Sequence, residues 1–211
     1  MSGLPATTLL IGATGPLGRA VLDEAAAEGL PIRALARRPE ALAGFADVVR
    51  GDVLESNSLV SAMEGIDTVV SVLGTPLTMQ PVTLLSEGTR AIVSAMRAAG
   101  ARRLICVTGM GAGDSRGHGG FLYDRIILPL VLGRIYADKD RQEAVVRDSG
   151  LDWLLVRPAR LTNGPRTGSC RAITRFTNET MGTISRKDVA RILVDELRFP
   201  RFSNIAVNLT Y

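Results

Sequence analysis

The feature that most constrains this chain lies near its start. An apolar run, TTLLIG at 7–12, passes directly into Gly12-Ala13-Thr14-Gly15-Pro16-Leu17-Gly18, and a helical pattern follows from Leu17 to Glu28, closed by Gly29. A strand that turns this sharply into a helix needs residues without side chains. Gly12 permits the tight turn, Gly15 lets backbone N–H groups approach a ligand, and Gly18 lets the helix pack close to the strand. The helix N-terminus then meets an anion with unpaired N–H groups and a favourable dipole. With 22 glycines in 211 residues, spacing alone produces chance matches. The weight comes from the strand before the turn and the helix after it.

The rest of the chain repeats this alternation. Apolar runs at 31–37, 46–52, 67–74, 102–109, 151–158 and 203–211 read as further strands. Helical patterns cover Ser56 to Met63, with Ser56 as N-cap, and Val82 to Ala99, ending at Gly100. Another runs from Gly120 to Ser149, interrupted near Pro129 and Gly133, and a last one from Arg186 to Arg198 is capped by Ser185. The strands are continuous apolar runs, which suits burial on both faces of a parallel sheet. The expectation is one α/β domain over 1–211, a doubly wound parallel sheet of about seven strands. Ligands of such sheets sit at the carboxyl ends of the strands. Substrate-side loops are therefore expected around 110–135 and 160–184.

Composition narrows the function classes. Hydrophobic residues make up 46% and charged residues 22%, enough apolar surface for a core. The longest strongly apolar run, Ile126 to Gly133, is far short of the ~20 residues of a membrane span. The first residues carry no basic segment of a secretory leader, and two cysteines, Cys106 and Cys170, fit a reducing compartment. The expected location is the cytoplasm, with no membrane partner. The single histidine, His118, in GAGDSRGHGG, reads as a solvated loop residue and leaves no metal site. Net charge is +4, with 23 arginines and only two lysines, Lys139 and Lys187. The arginines are scattered without interleaved aromatics, so nucleic acid is not the expected partner; an anionic small ligand explains the basic balance equally well.

That ligand reads as a dinucleotide with its pyrophosphate on the glycine turn. After the second strand, an NAD-specific site places Asp or Glu against the ribose 2′-hydroxyl. This chain has Ala36-Arg37-Arg38 there. Guanidinium groups at Arg37 and Arg38 suit a 2′-phosphate, so the expected cofactor is NADP(H). Asp52 and Val53 are placed to flank the adenine, and Asp52 reads equally as a turn residue.

GATGPLG, ALARRPE, GDV, SVLG and VTGMGAG together resemble the atypical short-chain dehydrogenase/reductases. Within them they resemble the small NAD(P)H-binding group of biliverdin-reductase-B-type flavin reductases. The stretches YADKDRQEAVVRDSGLDWLLVRPARLTNGP and ISRKDVARILVDEL are similar to the same group. The resemblance implies strand order 3-2-1-4-5-6-7. It also implies cofactor contacts at Thr14, Pro16 and Leu17 beside the three glycines, at Leu73, Gly74 and Thr75, at Thr108, and at Pro158, Ala159, Arg160 and Leu161.

Reductases of the broader family use Ser, Tyr and Lys, with Tyr four residues before Lys on one helix face. Here Ile135 is four before Lys139, and Tyr136 is three before it. That moves the hydroxyl ~100° around the helix. Gly109 stands where the orienting Ser is expected. Lys139 is the candidate ribose ligand, with a surface pair to Glu143 as the other reading. Tyr136 is a candidate proton donor or a packing residue. Trp153 reads as core. Arg160 is a candidate for holding an anionic substrate. Phe121, Tyr123 and the Ile126-to-Leu132 run read as a lid over the nicotinamide, as core, or as a dimer helix.

The expected function is NADPH-dependent hydride transfer to a small planar acceptor of flavin or quinone type, by a monomer or homodimer. A non-catalytic NADP(H) sensor is the main alternative. A carbonyl reductase or an epimerase fits less well, the latter because little chain remains for a substrate domain.

Overall fold

The computed structural model describes residues 7–45, 47–177, 179–180 and 182–211. Part of the leader reading, on Met1 to Ala6, lies outside them. So do Ala46 at the start of the expected third strand and Asn178 and Met181 in the 160–184 loop.

The chain begins β1 (Thr7–Ile11), α1 (Pro16–Ala27), β2 (Ile32–Ala36), a 3₁₀ turn (Pro39–Leu42), β3 (Val48–Arg50) and α2 (Ser56–Ala62). It continues through β4 (Ile66–Ser71), α3 (Leu84–Ala99) and β5 (Arg103–Val107) to a wide π-helical segment, Tyr123–Leu132. Then come α4 (Gly133–Arg147), β6 (Asp152–Pro158), β7 (Arg160–Thr162), β8 (Arg171–Ile173), β9 (Thr183–Ser185), α5 (Arg186–Arg198) and β10 (Ile205–Thr210).

The main sheet has the order β3-β2-β1-β4-β5-β6-β10-β8. All pairings are parallel except β10 with β8. This is a Rossmann-type doubly wound sheet, in the seven-strand order that the resemblance implies. Two features were not anticipated: the antiparallel edge strand β8, and a separate parallel pair, β7 with β9, beyond the end of β6. Both come from the stretch read as loop. Their strands are only three residues long, too short to show a period.

The continuous apolar strands are explained by their burial. Leu10, Val70, Ile105 and Val156 pack on one face against Val21 of α1 and Val189 and Leu193 of α5. Leu9, Ile11, Val69 and Leu155 pack on the other face against Leu59 of α2, Ile92 and Met96 of α3 and Val146 of α4. Each fully buried side chain of this size contributes roughly 1.5–3 kcal/mol. Trp153 joins the second layer as core, with the Arg147 guanidinium 5.2 Å from its ring centroid.

Two local expectations change. Ser56 is the first residue of α2 and not its cap; Glu55 takes the cap position, with no side-chain bond. The turn is closed instead by Ser58 Oγ, which accepts from the Asp52 N–H at 3.1 Å. The interruption expected in the Gly120-to-Ser149 helix near Pro129 and Gly133 is present. Pro129 removes a backbone donor, and the chain widens to π geometry before regular α4 begins. His118 is half-buried in its loop, its ring stacked on Phe176 with centroids 3.8 Å apart.

Ser185 caps α5 as expected, accepting from the Asp188 N–H at 3.0 Å. Asp188 in turn ties the C-terminus to this helix. Its carboxylate accepts from the Tyr211 hydroxyl at 2.6 Å, from Ser185 Oγ at 2.9 Å and from the Gly168 N–H at 3.0 Å. Burial works to raise its pKa, but these donated bonds outweigh it and take the carboxyl down to about 2. The folded pKa is thus depressed below the ordinary Asp value. The stabilisation is present above pH ~4 and is lost as the pH falls through about 2. Denaturant titrations between pH 5 and pH 2 should show Asp188→Asn losing on the order of 2 kcal/mol less stability on acidification than the unmodified chain. Parallel pH profiles would refute this role.

Candidate functional site

The glycine turn has the geometry that its spacing suggests. Gly12 has φ +87°, and a Cβ there would lie 2.7 Å from the Val72 carbonyl oxygen. A Cβ on Gly18 would lie 2.6 Å from the Ala13 Cα. Only glycine fits either position without moving backbone. Gly15 is the N-cap of α1, Pro16 its first residue, and no side chain caps it. The helix therefore points uncapped N–H groups outward.

They face a cavity of about 650 Å³ along the carboxyl ends of β1, β2, β4 and β5. Fifteen of the candidate residues line it: Gly12, Thr14, Gly15, Pro16, Leu17, Gly18, Arg37, Asp52, Val53, Leu73, Gly74, Thr75, Thr108, Lys139 and Leu161. One elongated pocket thus joins residues from both halves of the sheet. Its size is that of a small-molecule or cofactor site. The uncapped helix end and the glycine cradle fit the pyrophosphate of a dinucleotide.

Four of the other candidates lie off the cavity wall. Arg38 is exposed and leads into the 3₁₀ turn. The Pro158 carbonyl accepts from the Met110 N–H at 3.0 Å, and the Ala159 N–H donates to Leu209 at 2.8 Å, so both are committed to the sheet. Arg160 is exposed on β7. Asp52 forms the turn of its second reading: its Oδ1 accepts from the Leu54 N–H at 3.0 Å, as in an Asx turn, while Oδ2 lies 4.0 Å from Arg37. The Arg37 side chain is 80% exposed at that end.

Sequence reasoning missed Leu84, Pro76 and Arg186, which also line the cavity. Leu84 and Pro76 carry no distinguishing signal. Arg186 carries one: it is a cation at a helix start, where the dipole favours anions.

At the other end of the cavity, α4 and the end of β5 meet. Lys139 Nζ donates to the Thr108 carbonyl. Burial lowers its pKa to about 8, against the opposing effects of Cys106 and Glu143. The Tyr136 ring centroid is 5.0 Å from Nζ. The Tyr136 hydroxyl, however, donates to the Met110 carbonyl at 3.0 Å and accepts from the Tyr123 hydroxyl at 3.1 Å. Burial, then the neighbouring Tyr123, raises its pKa well above the usual tyrosine value, so it stays protonated. Tyr136 does not line the cavity.

Gly109 leaves room for two side-chain ends from α4. A Cβ at this position would lie 2.7 Å from Lys139 Nζ and 3.1 Å from the Tyr136 hydroxyl. These two polar atoms take up the space of the expected orienting side chain.

The proposed surface pair of Lys139 with Glu143 does not form. Glu143 turns inward to Arg157, with Nε to Oε1 at 2.8 Å and Nη2 to Oε2 at 2.5 Å, both side chains nearly inaccessible. Its Oε1 also accepts from Thr108 Oγ1 at 2.8 Å. Asp114 caps the other side of Arg157 at 2.5 Å.

The run from Phe121 to Leu132 is neither core nor cavity wall. Phe121 is 79% and Leu130 66% exposed, and only Leu128 of the π-helical segment is buried. Tyr123 reaches the site only through Tyr136. Among the described residues, no helix is long and apolar enough to cross a membrane.

A protein of Bacillus subtilis (strain 168) named as an uncharacterized sugar epimerase, YhfK, is 29% identical over 95% of this chain and 92% of its own. A Streptomyces griseus subsp. griseus enzyme, (4-alkanoyl-5-oxo-2,5-dihydrofuran-3-yl)methyl phosphate reductase, is 29% identical over 90% of this chain and 62% of its own. Among solved structures, the anaerobilin reductase ChuY of Escherichia coli O157:H7 superposes with a TM-score of 0.82 and 26% identity, covering 97% of this chain and 96% of that one. The model of the NAD(P)H-binding family matches residues 12–200, a span that takes in the glycine turn, Lys139 and the start of α5. With the cradle, the cavity and this match in agreement, the chain belongs to the NAD(P)H-binding family.

Proposed function

We propose that this protein is an NADPH-dependent oxidoreductase that passes hydride to a small planar, conjugated acceptor of flavin or quinone type. The observation that carries the reading is the commitment of the Tyr136 proton to the Met110 carbonyl, with Gly109 in place of a serine. A simple ketone needs its developing alkoxide protonated or held. A flavin or quinone spreads that charge over its own rings, so alignment supplies much of the catalysis. The reductases among its relatives support the reaction class.

The residues divide the work. The Gly12–Gly18 turn holds the pyrophosphate on the α1 N-terminus. Arg37 meets the 2′-phosphate, and Asp52 and Val53 flank the adenosine. Lys139, anchored by the Thr108 carbonyl, holds the nicotinamide ribose. Leu161 and Val107 supply apolar walls at the same end. The bound nicotinamide provides the hydride. A second reading, an NADP(H) sensor without turnover, is favoured by the same committed hydroxyl. Following NADPH absorbance with a panel of flavins and quinones separates the two: oxidation supports the enzyme, and no oxidation with any of them overturns it.

Three variants test the assignments. Arg37→Ala should weaken NADPH roughly ten- to hundredfold, the value of one charged hydrogen bond, and leave NADH nearly unchanged. Arg38→Ala, off the cavity wall, should change neither; equal affinity of the unmodified protein for both nucleotides would sink the NADPH assignment. Lys139→Met should weaken both nucleotides in a fluorescence titration, whereas intact binding would return Lys139 to a packing role. Tyr136→Phe should cost less than about tenfold in turnover, below the ~10²–10⁴ of a positioned general acid. A hundredfold loss at unchanged cofactor affinity would restore a carbonyl reductase.

A further inference from the structure

Three cationic side chains line the cavity: Arg37, Lys139 and Arg186. Arg37 stands beside Asp52 at the adenosine end, and Lys139 is bound to the Thr108 carbonyl. Arg186 has no part in the division of work above. We infer that Arg186 is the counter-ion of the dinucleotide pyrophosphate, closing on it from the α5 side opposite the glycine turn. This rests on reading the cavity as the nucleotide site and is independent of which acceptor is reduced.

Placement comes from the helices. Glu24 of α1 pairs with Arg191 of α5 at 3.3 Å, and Glu28, one turn further along α1, pairs with Arg191 and with Arg198. The two sequences advance together, so α1 and α5 run parallel with their first residues side by side. Pro16, Leu17 and Arg186 accordingly line the same cavity.

Charge gives the reason. A pyrophosphate brings two negative charges to the glycine turn. The turn answers with backbone dipoles and the Thr14 hydroxyl, and carries no full positive charge. Pro16 has no N–H, and the nearby Arg19 spends its guanidinium on the Ala41 carbonyl at 2.6 Å and the Thr14 carbonyl at 3.3 Å. Arg186 supplies the missing full charge. Among the described residues it forms no ion pair. Its one hydrogen bond runs from Nη1 to the neutral Asn163 Oδ1 at 2.7 Å, which orients the group without neutralising it. Asp188, two residues on, is saturated by Thr167, Gly168, Ser185 and Tyr211 and leaves Arg186 uncompensated. A cation at the first position of a helix also opposes that helix's dipole. A bound anion between the two helix starts reverses that penalty.

The test measures binding alone. Calorimetric titration of Arg186→Ala and Arg186→Gln with NADPH, NADH and 2′-AMP reads the contact by ligand part. NADPH and NADH both carry the pyrophosphate; 2′-AMP carries only the 2′-phosphate. The expected result is an equal loss for NADPH and NADH, roughly ten- to hundredfold, with 2′-AMP unchanged and partial recovery in Arg186→Lys. Arg37→Ala should give the reverse pattern, losing NADPH and 2′-AMP together. Unchanged binding of all three ligands overturns the inference. An equal loss of 2′-AMP places it at the adenosine end and also overturns it. Because no turnover is involved, failure of the acceptor panel leaves this result standing, and failure here leaves the acceptor reading standing.

Discussion

The contact between Gly18 and the Gly12–Ala13 backbone governs the rest of the site. With no Cβ in the way, α1 seats directly on the end of β1, and Gly12 takes a left-handed turn against the Val72 carbonyl of the neighbouring strand connection. That seat fixes the direction of the α1 N-terminus. It also fixes the layer that α1 and α5 share, through Val21, Leu22, Val189 and Leu193, and so the position at which α5 begins. The glycine-turn end of the cavity is thus determined by backbone packing before any polar side chain is considered.

The Lys139 end of the cavity depends on a different kind of interaction. Arg157 belongs to β6, in the middle of the sheet, and is 1% exposed. A guanidinium there is tolerable only when fully paired, because removing it from water costs several kcal/mol. Glu143 from α4 supplies two hydrogen bonds to it, and the same carboxylate takes the Thr108 hydroxyl. Helix, strand and loop are thereby held in one register. With its side chain turned inward, Thr108 presents its carbonyl to Lys139. The ion pair acts on the site through position and makes no contact with the cavity.

The same arrangement bears on the choice of acceptor. Lys139 and Tyr136 approach each other over Gly109, as a lysine and a tyrosine do in carbonyl reductases, yet the phenol proton is taken up by a main-chain carbonyl. A site built this way is suited to binding and orienting, and the committed phenol proton is the basis of the proposed acceptor class.

Periodicity and residue type determined the parallel strands of the sheet and the glycine turn, while their order followed from the family resemblance. Strands buried on both faces must be apolar throughout, and a strand-to-helix turn with close packing must be glycine, so both leave a local trace in the chain. The caps at Gly100 and Ser185 were legible for the same reason. What lies between distant segments was not. Glu143 is four residues from Lys139, which made a surface pair its second reading, but Arg157 from β6 offers it a bidentate pair that no local spacing announces. The Tyr136 hydroxyl was placed by helical arithmetic, while its partners, Met110 and Tyr123, come from the loop after β5 and the π-helical segment. Arg186 joined the cavity only because α5 runs parallel to α1. Hydrogen-bond and charge partners are chosen by distance in space among all available groups. The sequence therefore determined which side chains exist for the site, and the tertiary structure alone decided which of them meet.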